Sequence, residues 1–167
     1  MPATRRSVRV RNTTGDGLPV RIRKATEHDL DEIRRLDAEA FPGDPYPYFV
    51  LRQYVDAFAD GFLVLEEDGG RGLCGYVLAT PAHQGVSWVF SLCVTPRMRR
   101  RGLGRWLMTE LLGRLRAAGA RTVRLSVEPG NRPAVLLYGE LGFTSAGGCH
   151  RDYFGPGEHR LLMTRVL

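Results

Sequence analysis

Residues 89–106 read VFSLCVTPRMRRRGLGRW. An apolar run stops at Pro96, Arg97, Arg99, Arg100 and Arg101 follow, and a Gly-x-Gly opens a segment in which Leu103, Leu107, Leu111 and Leu115 recur at helical spacing. Strand, basic loop, glycines and helix, in that order, are the parts of an anion site. The first turn of a helix leaves N–H groups unpaired and carries partial positive charge. Glycines without Cβ let a phosphate approach the backbone, and arginines add charge-assisted contacts. Taken alone, the same residues also read as a solvated basic face, so the rest of the chain must decide.

Working outward, VRIRKAT (20–26) alternates as a first strand. Thr26 and Asp29 form an approximate capping box before a helix carrying Leu30, Ile33, Leu36 and Ala40. The prolines of PGDPYP (42–47) end it, and a second helix follows with Val50, Tyr54, Val55 and Phe58 as its buried stripe. Residues 62–80 form a hairpin around DGGRG, and 85–96 a further strand. After the helix at 102–120 come a strand (121–130), a short helix (132–142) and two closing strands. The order β-α-α-β-β-β-α-β-α-β-β predicts an α+β fold: three α/β/α layers on a mixed, mostly antiparallel sheet of six to seven strands with about four helices.

At 167 residues, with 43% hydrophobic and 25% charged residues, the chain reads as one domain at 20–167 behind a flexible basic tail at 1–19. No apolar run is long enough to span a bilayer, and the N-terminus lacks the apolar core of a secretory signal, so a cytoplasmic, membrane-free protein is expected. Cys74, Cys93 and Cys149 are odd in number and widely spaced, arguing against disulfides or a metal site, and read as buried or half-buried. The net charge of +6 divides into +3 over residues 1–19 and +5 over 91–105, leaving −2 elsewhere. A nucleic-acid coat spreads its charge more widely. Arginine supplies all but Lys24 of the 24 basic residues, so the choice of Arg over Lys carries no functional signal; its placement does.

The glycine loop fits none of the commoner phosphate motifs. Arg105-Trp106 stands where a Walker loop needs Lys-[Ser/Thr], and Leu107 where a dinucleotide fingerprint needs glycine. It does fit [Q/R]-x-x-G-x-[G/A] at Arg99, Gly102 and Gly104. Further on, NRPAVLLYGELGF (131–143) fits N-x-x-A-x-x-L-Y-x-x-x-G-F at Asn131, Ala134, Leu137, Tyr138, Gly142 and Phe143. With these two matches in order, the chain resembles the GNAT superfamily of N-acetyltransferases, in particular the RimI-like enzymes that acetylate ribosomal-protein N-termini.

The resemblance implies that acetyl-CoA is the cosubstrate and that no metal is needed. It implies that the fourth and fifth strands splay apart to take the pantetheine arm, which pairs with backbone near Leu92, Cys93 and Val94. The N–H groups of Arg99, Arg100, Arg101, Gly102, Leu103, Gly104 and Arg105 would hold the pyrophosphate. Asn131 would contact the pantetheine or cap the next helix. Tyr138 matches the general acid that protonates the leaving thiolate.

The base is less plain. Ser126 stands where relatives carry Glu or His, and Ser87 lies near where others carry Tyr. Either a hydroxyl-lined water chain leads to Glu128, or little help is needed. An α-amine near pKa 7.7–8.0 is partly neutral already, whereas a lysine amine near 10.4 is not. This favours a peptide or protein N-terminus as acceptor, with a small amine (polyamine, aminoglycoside, amino acid) as the alternative. A nucleic-acid binder using the arginine cluster is the reading from another class, and a coenzyme A binder without catalysis a fourth. Tyr46 and Tyr48 in FPGDPYPY (41–48), and Tyr153 with Glu158 in the HRDYFGPGEHRLLM tail (150–163), are the candidate acceptor residues, although prolines and tyrosines at 41–48 equally suit a packed connector. Cys149-His150 is not read as a nucleophile–base pair, because adjacent strand residues face opposite ways. The oligomeric state stays open, a homodimer included.

Overall fold

Asp29 does two jobs at the start of the first helix. In the computed structural model, which describes residues 9–12, 19–69 and 71–167, its carboxylate accepts the Thr26 N–H at 2.8 Å and the Thr26 hydroxyl at 2.9 Å. That is the reciprocal arm of the capping box, and α1 then runs Leu30–Ala40 with Leu30, Ile33 and Leu36 buried. Arg23 of strand β2 (Pro19–Lys24) grips the same carboxylate through both terminal nitrogens at 2.7 Å and reaches Glu66 of β3 (Phe62–Glu67) at 3.0 Å. Helix and sheet are thus locked by one guanidinium.

Burial alone would raise the Asp29 carboxyl, but the Arg23 and Thr26 donors outweigh it and hold it below the ordinary range. Glu66 is held low mainly by its bond from Arg23. Both folded carboxyls therefore titrate below their unfolded value of about 4. Their contribution is complete above that value and is lost as pH falls through the depressed ones. Urea midpoints should fall on acidification below about pH 4, and Asp29→Asn should lower the neutral-pH midpoint while flattening the acid limb. Parallel acid limbs in the two proteins would refute this assignment.

Helix α2 (Tyr48–Ala57) starts after Pro47, as expected of a chain leaving a proline connector. Its fully buried residue is Leu51, which the sequence-predicted stripe omits; Val50, Tyr54, Val55 and Phe58 are only half-buried. The helix lies at the margin of the fold and commits a single turn to the core, so the wider stripe is only partly covered.

The remaining elements are β4 (Gly72–Ala79), β5 (Val86–Val94), α3 (Leu103–Ala117), β6 (Thr122–Val127), α4 (Arg132–Glu140), β7 (Thr144–His150) and β8 (Arg160–Val166). One sheet runs β1-β2-β3-β4-β5-β6-β8-β7, antiparallel throughout except for β5–β6. The crossover through α3 makes that pair parallel. Seven of these strands follow residue 19; β1 (Arg9–Asn12) pairs antiparallel with β2 and extends the edge. These four residues fall within the stretch expected to be a flexible tail at 1–19; residues 1–8 and 13–18 of that stretch, Arg5 and Arg6 among them, lie outside the described residues.

Helices α1 and α2 cover one face, burying Leu30, Ile33 and Leu51 against Phe62, Val64 and Tyr76. Helix α3 covers the other, burying Leu107, Leu111 and Leu115 against Val77, Val123 and Leu125. Cys74 and Cys93 are buried, but Cys149 is exposed, because β7 is an edge strand that no helix covers. Among the described residues no helix is long and apolar enough to cross a membrane.

Candidate active site

Strands β5 and β6 pair at only four positions: Val86–Thr122, Ser87–Val123, Trp88–Arg124 and Val89–Leu125. Beyond that rung each keeps only its outer partner. Leu92 and Cys93 lie opposite Val77 and Tyr76 on β4, and Ser126 and Val127 lie opposite Leu162 and Leu161 on β8. A bulge drives the separation. Ala79 opposes Val89 while Leu78 opposes Ser91, so Phe90 is an extra residue that bends β5 away. The Phe90 ring lies 6.0 Å from those of Tyr54 and Phe58. The inner edges of residues 90–94 and 126–127 thus present backbone groups to an open slot, with half-buried Leu92 and Val94 on the face toward α3. Cys93 turns the other way, its thiol 3.7 Å from the Leu36 carbonyl and pushed up to about 11 by burial.

The basic loop stands at the mouth of this slot. A 3-10 turn over Pro96–Met98 leads to Arg100 at φ 62° and Gly102 at φ 74°, and α3 begins at Leu103. Trp106 N–H makes the first intrahelical bond, to Gly102 O at 3.0 Å. The N–H groups of Leu103, Gly104 and Arg105 therefore have no acceptor within the helix, and Gly102 has no side chain to cap them. The two glycines are needed for different reasons. Residue 102 sits in the left-handed region that favours glycine. A Cβ at 104 would meet Leu137 at 3.5 Å and Val94 at 3.9 Å, which is ordinary contact. Alanine fits there, as the G-x-[G/A] pattern allows.

Most of these arginines are already engaged. Arg97 pairs with the buried Glu67, Arg99 Nε donates to Val94 O at 2.9 Å, and Arg105 pairs with Glu140 of α4. The cluster is largely internal bracing that fixes the loop to β3, β5 and α4, and the donors left at the mouth are the backbone N–H groups of the first turn of α3.

Asn131 caps α4, its side-chain oxygen accepting the Ala134 N–H at 3.3 Å. Tyr138 is the buried residue of α4; its ring meets Phe143 at 5.9 Å, and burial pushes its phenol up to about 12. Its hydroxyl has no hydrogen-bond partner among the described residues. Ser126 is half-buried at the slot, and Glu128 is exposed in the following turn. Ser87 lies in the paired part of β5, fully buried, with its hydroxyl donated to Thr80 O. It does not reach the slot, because its side chain shares the α3 face with Val89.

On the α1–α2 side, Tyr46 is packed against Tyr54 at 5.9 Å and its N–H is held by Asp37 at 2.6 Å. Tyr48 and Tyr153 are exposed, Tyr153 lying 4.8 Å from Phe154. Two features escaped the sequence reading. Buried Asp37 also accepts the Tyr76 hydroxyl, which lies 2.8 Å from Ser91 Oγ. A hollow of about 220 Å³ is lined by Trp88, Arg124, His150 and Leu162, among others. Strand alternation marks Trp88 and Arg124 as facing away from α3, but sequence gives no sign that they meet.

A splayed parallel pair, unpaired helix-start amides at its mouth and a buried phenol on α4 are the features that the sequence resemblance leads one to expect. The chain belongs to the acetyltransferase (GNAT) family, whose pattern matches residues 28–143, and is an acetyl-CoA-dependent N-acetyltransferase. It is 31% identical to the N-alpha-acetyltransferase RimI of Mycobacterium tuberculosis over 161 residues, covering 91% of this chain and 96% of that one. It is 29% identical to an N-alpha-acetyltransferase of Sulfurisphaera tokodaii, covering 90% and 95% respectively. In fold it is similar to Ard1 from Thermoplasma volcanium, with a TM-score of 0.80 at 22% identity over 89% of this chain and 97% of that one.

Proposed function

We propose that this enzyme acetylates the α-amino group of a peptide or protein N-terminus by direct attack of the amine on the thioester of acetyl-CoA. The observation that carries the reading is the slot between β5 and β6. It is reached from the amide cradle on one side and, on the face of α1 and α2, from a surface bordered by exposed aromatics. The N–H groups of Arg100 to Arg105 hold the pyrophosphate, that of Arg99 being donated instead to Pro96 O at 3.2 Å, and backbone at Leu92, Cys93 and Val94 pairs with the arm. Asn131 fixes the start of α4 beside them. Tyr138, which keeps its proton at neutral pH, donates to the departing sulfur. Among the described residues no strong base lines the slot. Ser126 passes the proton to water, with Glu128 at the exit, and an α-amine near pKa 7.7–8.0 needs no more help than that. Tyr48 and Tyr153 flank the acceptor, and Tyr46 secures the loop that carries Tyr48.

Relatives named as N-alpha-acetyltransferases, both matched over 90% or more of each chain, support an N-terminal acceptor. The test has two stages. Acetyl-CoA at a hundred times its dissociation constant should raise the melting temperature by about 5–10 °C. Thiol release is then followed across free-N-terminus peptides, their blocked counterparts, polyamines, aminoglycosides and amino acids. Free peptides should be acetylated fastest and blocked ones not at all. A small amine outrunning every peptide would overturn the acceptor assignment. An unmoved melting curve together with a nucleic-acid gel shift would overturn the whole reading.

A further inference from the structure

Trp88 and Arg124 face each other on the last rung but one before β5 and β6 separate. The Arg124 guanidinium carbon lies 5.8 Å from the centre of the Trp88 ring, which orients this exposed side chain across the strand. Val89, Val123 and Leu125 belong to the core beneath α3, so strand alternation puts Trp88 and Arg124 on the opposite face, the one shared with α1 and α2. Together with His150 and Leu162 they wall the hollow of about 220 Å³, and none of its lining residues is acidic. Arg124 has no carboxylate partner among the described residues. The acids of the neighbouring β7–β8 turn are already engaged: Glu158 with Arg160 at 2.8 Å, and Asp152 with the Gly157 N–H at 2.8 Å. Arg97, Arg99 and Arg105 beside the glycine loop are braced by partners, whereas Arg124 lines an open hollow on the acceptor side of the slot.

We infer that Arg124 reads a carboxylate on the acceptor, so that the preferred substrates are N-terminal peptides with an acidic second residue. The inference rests on the N-terminal acceptor proposed above and narrows it. Arg124 precedes Ser126 by two residues, a separation of about 7 Å along the strand. An amine reaching the slot at the level of Ser126 therefore has Arg124 about one residue further along its own chain. With consecutive Cα atoms about 3.8 Å apart, the side chain of the second residue spans the remainder. Trp88 would lie under the methylenes of that side chain while the guanidinium takes its oxygens.

The test uses three peptides identical except for Glu, Gln or Arg at the second position, assayed with wild-type enzyme and with Arg124→Glu. Wild-type kcat/KM should fall in the order Glu, Gln, Arg, with about tenfold between the extremes, and the spread should narrow with added salt as screening grows. Arg124→Glu should invert the order. Each comparison is a ratio within one protein, so a partly misfolded variant lowers all three rates without inverting them. Wild-type rates within twofold of each other, or the same order persisting in Arg124→Glu, would refute the role of Arg124 and leave N-terminal acetylation standing. Failure to acetylate any of the three, beside good turnover of another amine, would remove the N-terminal reading and this inference with it.

Discussion

Tyr138→Phe should lower kcat by about 100- to 1,000-fold and leave both acetyl-CoA affinity and melting temperature at wild-type values. The expectation follows from what the hydroxyl does and does not touch. The ring is buried against Phe143, and phenylalanine keeps that contact. The hydroxyl has no hydrogen-bond partner among the described residues, so its removal orphans nothing. Burial pushes the phenol up to about 12, which keeps it protonated across the physiological range and available as a donor. Loss therefore falls on the step in which charge develops on sulfur, not on binding or folding. Calorimetric titration of acetyl-CoA beside steady-state turnover separates the two. Undiminished kcat would remove Tyr138 from the chemistry.

Asp37→Ala should cost about 2–4 kcal/mol of stability, a fall of about 5–15 °C in melting temperature. Asp37 is 1% exposed, and its carboxylate accepts both the Tyr46 N–H and the Tyr76 hydroxyl. Truncation strands the Tyr46 N–H of the connector before α2 and leaves the Tyr76 hydroxyl of β4 with Ser91 as its remaining partner. The connector carries Tyr48, so the KM for a peptide acceptor should rise more than that for acetyl-CoA. Asp37→Asn, which keeps one accepting oxygen, should fall between. A melting curve unmoved by Asp37→Ala would show that the network does not hold the connector.

Much of this architecture is legible in the chain because the signals are local. The capping box at Thr26 and Asp29, the leucines of α3 and the proline stops each act within a few residues, and each is where it was expected. The cradle at Gly102 is legible for the same reason, since backbone conformation there depends on residue type. Contacts between distant segments were not legible. Nothing near Asp37 announces Tyr76, 39 residues on, and nothing in β5 announces that Trp88 lies beside Arg124. The arginine run was the most ambiguous signal. Its charge is visible in sequence, but its engagement by Glu67, Val94 and Glu140 appears only once the chain has folded.

The register of the sheet also sets the cost of loading the enzyme. Because residues 91–94 and 126–127 are zipped to β4 and β8 on their far sides, both jambs of the doorway are rigid before any guest arrives. In the proposed reaction the carrier therefore enters as a surrogate strand without prising apart a formed ladder, and little of its affinity is spent on ordering the host.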